Sequence, residues 1–103
     1  MTHEELEAML KISRYPVTYS HFKTSPKPPF LVYIRTQSDN FAADNKAYSK
    51  LNSYKIELYN SKKDIEVEKI IENIFDENNI FYTIDEVWID SEKLYQVSYE
   101  ISI

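Results

Sequence analysis

Between Tyr95 and Ile103 every second residue is large and apolar, and every residue between them is polar: Tyr95, Val97, Tyr99, Ile101 and Ile103 against Gln96, Ser98, Glu100 and Ser102. A period of two places the first set on one face of a strand and the second on the other. Phe81 to Asp90 and Leu94 to Ile103 then read as a closing hairpin, with Asp90-Ser91-Glu92-Lys93 as its polar turn. A lone hairpin is at best marginal in water, so this segment requires further strands and an apolar layer against its inner face.

That layer is visible just upstream. From Ser61 to Glu77, the residues Ile65, Val67, Ile70, Ile71, Ile74 and Phe75 form a broad helical stripe, with Ser61 and Asp64 at capping spacing and Asn78-Asn79 as the stop. An earlier helix is predicted over Thr2 to Ile12. There Thr2 and Glu5 have the spacing of a capping box, and Leu6, Met9, Leu10 and Ser13 share a face. Val17 to Phe22 is a short strand, with Val17, Tyr19 and His21 on one side. The proline-bearing stretch Lys23 to Pro29 is a loop, and Phe30 to Thr36 is a central strand buried on both faces. Gln37 to Asn45 reads as a polar, turn-rich segment with Phe41 stranded in it. Lys46 to Asn60 is a long strand or bent pair, with Tyr54, Ile56 and Leu58 opposite Lys55, Glu57 and Tyr59. The expected fold is one α+β domain over residues 1–103: helix, three strands, helix, two strands, in a mostly antiparallel sheet of four to five strands with the helices on one face.

Composition narrows the function. A chain of 103 residues supports one modest core. The formal net charge of −5 argues against a nucleic-acid surface, yet suits a wall past which DNA slides without sticking. No apolar run is long enough to span a bilayer, and the start Met1-Thr2-His3-Glu4-Glu5 is acidic where a signal peptide is basic, so a soluble intracellular protein is expected. Without cysteine there is no thiolate chemistry. Without glycine no dinucleotide fingerprint or P-loop can be written, and asparagines take the turn and cap positions. An AT-rich coding bias is the simpler source of the missing glycine.

Catalytic constellations fare poorly. His3 and His21 have no nucleophile or ligand spacing around them and read as surface residues. Asp85, Glu86, Asp90 and Glu92 beside Lys93 suggest a metal-dependent nuclease. That chemistry wants a carboxylate two residues before the lysine so that both point into one site, and Ser91 stands there. No catalytic, cofactor or metal residue is therefore assigned. The nine tyrosines compete between core, base-stacking and interface roles. Tyr95 and Tyr99 fit the core, whereas Tyr48, Tyr59 and Tyr82 lack a buried role and are interface candidates. Trp88 is opposite in parity to Val87 and Ile89: either it is core and they meet a second layer, or the reverse.

Several segments resemble the small tail-terminator proteins of long-tailed phages and prophages of low-GC Gram-positive bacteria, head–tail completion proteins often labelled minor capsid proteins. The carriers are Pro29-Phe30-Leu31-Val32-Tyr33, Asn40-Phe41-Ala42-Ala43-Asp44, Tyr54 to Tyr59 leading to Lys63-Asp64, and above all the hairpin Glu86 to Ile101. The usual glycine after the second helix is here Asn79. The resemblance implies a non-enzymatic subunit of a ring, commonly a hexamer, at the head–tail joint of the virion. Such a ring is assembled in the bacterial cytoplasm, and its partners are its own copies, the tail-tube protein and the head connector, with DNA only as passing cargo. The expected contact residues are Phe41, Asp44, Tyr48, Tyr59, Tyr82 and Trp88, with the loop Ser38 to Tyr48 as the subunit contact. A monomeric adaptor or antitoxin-like binding module is the alternative.

Overall fold

Thr2 and Glu5 close the start of the first helix reciprocally: the Glu5 N–H donates to Thr2 Oγ1 at 3.1 Å and the Thr2 N–H donates to Glu5 Oε1 at 3.2 Å. The computed structural model describes residues 1–43 and 46–103, with side chains described outside 37–51. In it this helix is α1 (His3–Leu10), continued by a 3-10 turn over Lys11–Ser13 that ends where Arg14 turns to a φ of 69°. Leu6, Met9, Leu10 and Ser13 are all buried. The Ser13 hydroxyl is satisfied by donating to the Leu10 carbonyl at 2.7 Å.

The described residues form one five-stranded sheet: β1 (Val17–Tyr19), β2 (Phe30–Ala43), β3 (Lys46–Asn60), β4 (Tyr82–Ile89) and β5 (Leu94–Ser102), in the spatial order β1-β2-β3-β5-β4. Only β1 and β2 run parallel. Between β3 and β4 lies α2 (Ile65–Glu77), and β5 inserts between these two strands to complete the sheet. Leu31 and Tyr33, then Tyr54, Ile56 and Leu58, then Val97, Tyr99 and Ile101 lie in cross-strand register on one face, where they join Leu6, Met9 and Leu10 of α1 and Val67, Ile71, Ile74 and Phe75 of α2 in one core. The α+β architecture with both helices on one face is the one expected.

Four expectations change. Strand β1 stops at Tyr19, because Ser20 takes a φ of 68° and the His21 N–H turns back to the Tyr19 carbonyl at 2.8 Å. The helix expected from Ser61 starts at Ile65. Asp64 is its cap and accepts from the Val67 N–H at 3.4 Å, while the Ser61 N–H donates to Asn60 Oδ1. Asp64→Ala should therefore lower stability by about 1 kcal/mol in urea unfolding. Gln37 to Ala43, read as turn-rich, continues β2. Antiparallel pairing of Gln37–Ala43 with Lys46–Ser53 gives its backbone partners along one side whatever the side-chain polarity. Lastly, β2 is buried on both faces only from Phe30 to Tyr33, and Ile34, Arg35 and Thr36 are exposed.

The second face of β2 is covered by the chain itself. The segment 20–29 links the parallel β1 and β2, and its Phe22 meets Phe30 edge-on at 5.6 Å between ring centroids. At the end of α2, Asn79 takes the left-handed cap position with a φ of 55°, and the Ile80 N–H returns to the Phe75 carbonyl at 2.9 Å. This compact stop drops Ile80 into the core and launches β4 along the sheet edge.

Candidate protein-interaction surface

Strand β4 holds the sheet by one side only. Register with β5 pairs Tyr82 with Ile101, Ile84 with Tyr99, Val87 with Gln96 and Trp88 with Tyr95, and no described strand lies beyond it. Half of its backbone N–H and C=O groups therefore point away from the sheet, the arrangement that lets a further strand add. Its side chains make that edge apolar on both faces. Phe81, just before the strand, is 95% exposed, Ile84 52%, Val87 50% and Trp88 41%. Core residues of β5 stand beside Ile84, yet neither Ile84 nor Trp88 joins the core cluster. Between the end of α2 and the chain terminus, a cleft of about 670 Å³ is lined by Phe81, Tyr82, Ile101 and Ile103 among others.

Electrostatics frames this strip. Lys63, just ahead of α2, reaches both Glu68 of the helix and Glu86 of β4, and the two carboxylates push its pKa up. In the turn 90–93, the Lys93 ammonium donates to Asp90 Oδ1 at 2.8 Å and the Trp88 indole donates to the same oxygen at 3.3 Å, so both hold the Asp90 carboxyl below its usual range. Asp85 and Glu86 fall on opposite faces of β4, because successive strand residues alternate. The carboxylates singled out for nuclease chemistry thus do not converge, and among the described residues no group of three or more potential ligands gathers to hold a metal ion.

The three expected contact residues whose side chains are described, Tyr59, Tyr82 and Trp88, are dispersed. Trp88 and Tyr82 share the helix-side face of β4. Trp88 packs against Tyr95 with centroids 4.8 Å apart, while Tyr82 turns onto the core and touches Phe75 at 5.4 Å and Tyr99 at 5.7 Å. Tyr59 is on the other face of β3, stacked on Phe30 at 5.1 Å, with its hydroxyl donating to Glu57 and accepting from Gln96. The expected contact loop is strand on both sides, Ser38 to Ala43 in β2 and Lys46 to Tyr48 in β3; the side chains of Phe41 and Tyr48, and Asp44 altogether, lie outside the described residues. Phe81 and Ile84 were not singled out from the sequence. The signal was available at Phe81, an aromatic next to the buried Ile80 at a helix stop.

The chain matches no protein-family model and no curated protein. The surface itself therefore supplies the chemistry: an unpaired strand edge offering main-chain hydrogen bonds, with aromatic and branched anchors on either side of it. Such an edge has the chemistry to which a polypeptide can add as a further strand or pack side by side. No described helix is long and apolar enough to cross a membrane.

Two further tyrosines do structural work. The Tyr33 hydroxyl donates to Glu7 of α1 at 3.1 Å and the Tyr99 hydroxyl to Glu72 of α2 at 3.0 Å, so each helix is tied to the sheet by one phenol–carboxylate bond. Burial first, and the accepting carboxylate second, push both phenols well above their ordinary value; the same two causes push Tyr59 up to about 12. An unfolded phenol ionises near 10. The stability these groups contribute is thus intact below about pH 10 and falls as pH climbs from there toward 12. In an absorbance titration near 295 nm, fewer than all nine tyrosines should ionise while the protein stays folded, and the rest should ionise only as it unfolds.

Proposed function

We propose that this protein is a structural subunit that joins copies of itself in a ring, hexameric, at the head–tail joint of a long-tailed phage or prophage. There it ends tail-tube growth and docks to the head connector. The reading begins from the resemblance of the hairpin Glu86–Ile101 to tail terminators. It is carried by one observation: the free β4 edge with Phe81, Ile84, Val87 and Trp88 exposed along it. An apolar strip on so small a domain is expected to be covered in the working state. The net charge of −5 suits a lumen that DNA crosses without adhering. The assembly site is the bacterial cytoplasm and the final location the virion.

Polymerising the cognate tail-tube protein with and without this protein tests the reading. Tubes that become shorter and carry a cap at one end support it. Unchanged tube lengths at saturating protein count against it and favour a monomeric adaptor that uses the same edge for a single partner.

A further inference from the structure

A second cleft, of about 260 Å³, lies where α1 begins and is lined by His3, Tyr19, Arg35 and Tyr54. Tyr19 ends β1 beside Tyr33 of β2, and Arg35, further along β2, stands opposite Tyr54 of β3. Alternation puts Tyr19, Arg35 and Tyr54 on the helix-side face of the sheet. His3, the first residue of α1, completes the wall with its ring 6.0 Å from that of Tyr19. None of these residues belongs to the β4 strip.

The donors that line this cleft are left without partners. Arg35 is exposed and makes no ion pair among the described residues. The Tyr19 hydroxyl accepts from the Arg35 backbone N–H at 3.2 Å, and no described group takes its proton. Tyr54 is only 4% exposed, and its hydroxyl has no partner among the described residues. No side-chain polar atom sealed from solvent lacks a partner, so this hydroxyl opens on the cleft that its side chain lines. Burial raises the Tyr54 phenol above its ordinary value, the Arg35 charge opposes that rise, and Glu4 adds to it. Both charges are therefore felt at the mouth of the cleft.

A guanidinium and two phenols around one small space bind an oxyanion through charge-assisted hydrogen bonds. The unpaired Arg35 balances one negative charge. Glu4, which lies 2.9 Å from His3 Nε2, opposes a second. The rings of Tyr19 and Tyr54 supply apolar walls, which favour an anion carried on carbon over inorganic phosphate. We infer that the cleft between α1 and strands β1 to β3 binds a carboxylate on a short apolar or aromatic stem, with Arg35 as its ion-pair partner and the Tyr19 and Tyr54 hydroxyls as donors. A free organic acid and the acidic side chain of a polypeptide both offer that chemistry.

The test adds benzoate to the full chain at constant ionic strength, with chloride as the balancing anion, and follows proton–nitrogen magnetic resonance. Saturable shifts are expected at the Arg35 side-chain N–H and at the amides of Tyr19, Arg35 and Tyr54. Arg35→Gln should weaken binding about tenfold or more. Tyr54→Phe, which removes only the hydroxyl, should weaken it about fivefold. The amide spectrum of each variant reports whether it is folded. A capped peptide carrying a single glutamate is titrated in parallel. Tighter binding of benzoate assigns the site to a free acid, and tighter binding of the peptide assigns it to a polypeptide. The inference is overturned if neither probe gives a saturable shift, if folded Arg35→Gln binds as the wild type does, or if inorganic phosphate binds as tightly as benzoate.

Discussion

Phe75→Ala should lower the free energy of unfolding by about 3–5 kcal/mol, the largest loss expected from any single truncation in this chain. Phe75 is 0% exposed and sits on the sheet-facing side of α2, with its ring 5.4 Å from that of Tyr82 and 5.5 Å from that of Tyr99. Its removal leaves a void between the helix and the β4–β5 hairpin whose walls are rings that cannot collapse far. Tyr99 is tethered to Glu72 by its hydroxyl and Tyr82 is fixed by its strand pairing with Ile101. Urea unfolding measures the effect as a lower midpoint at an unchanged slope. A loss below about 1 kcal/mol would mean that the helix does not pack on the hairpin as described.

Trp88→Ala should behave in the opposite way. The indole is 41% exposed, touches Tyr95 and bonds Asp90 on the surface, so its removal should cost the isolated subunit only about 1–2 kcal/mol, well short of a core aromatic. Self-association should instead fall by about 30-fold or more, the effect of deleting a central aromatic anchor from an interface. The two quantities come from one sample, with unfolding read at low concentration and association by sedimentation. A loss of stability equal to that of Phe75→Ala, with association intact, would return Trp88 to the core.

Much of the architecture was legible because local and long-range signals agree. The Thr2–Glu5 capping box, the alternation from Tyr95 to Ile103 and the Asn78-Asn79 stop each specify an element on their own. The errors fall where tertiary pairing decides. Nothing in Gln37 to Ala43 favours a strand until β3 is laid beside it, and Ser61 competes with Asp64 for a cap that only one can fill. The stripe of α2 was read too wide: Val67, Ile71, Ile74 and Phe75 are buried, whereas Ile65 and Ile70 are exposed. The surface was harder. Trp88 was ambiguous because apolar residues on both parities of one strand look alike in sequence, and its exposure became clear only once β4 proved to be an outer strand whose far end lies outside the core cluster.

The most direct test of the ring is the solution mass of the purified protein by light scattering over a wide concentration range. The account predicts a discrete species of six times the 12.3 kDa chain mass, growing in as concentration rises. A mass that stays at that of one chain across the whole range would contradict it.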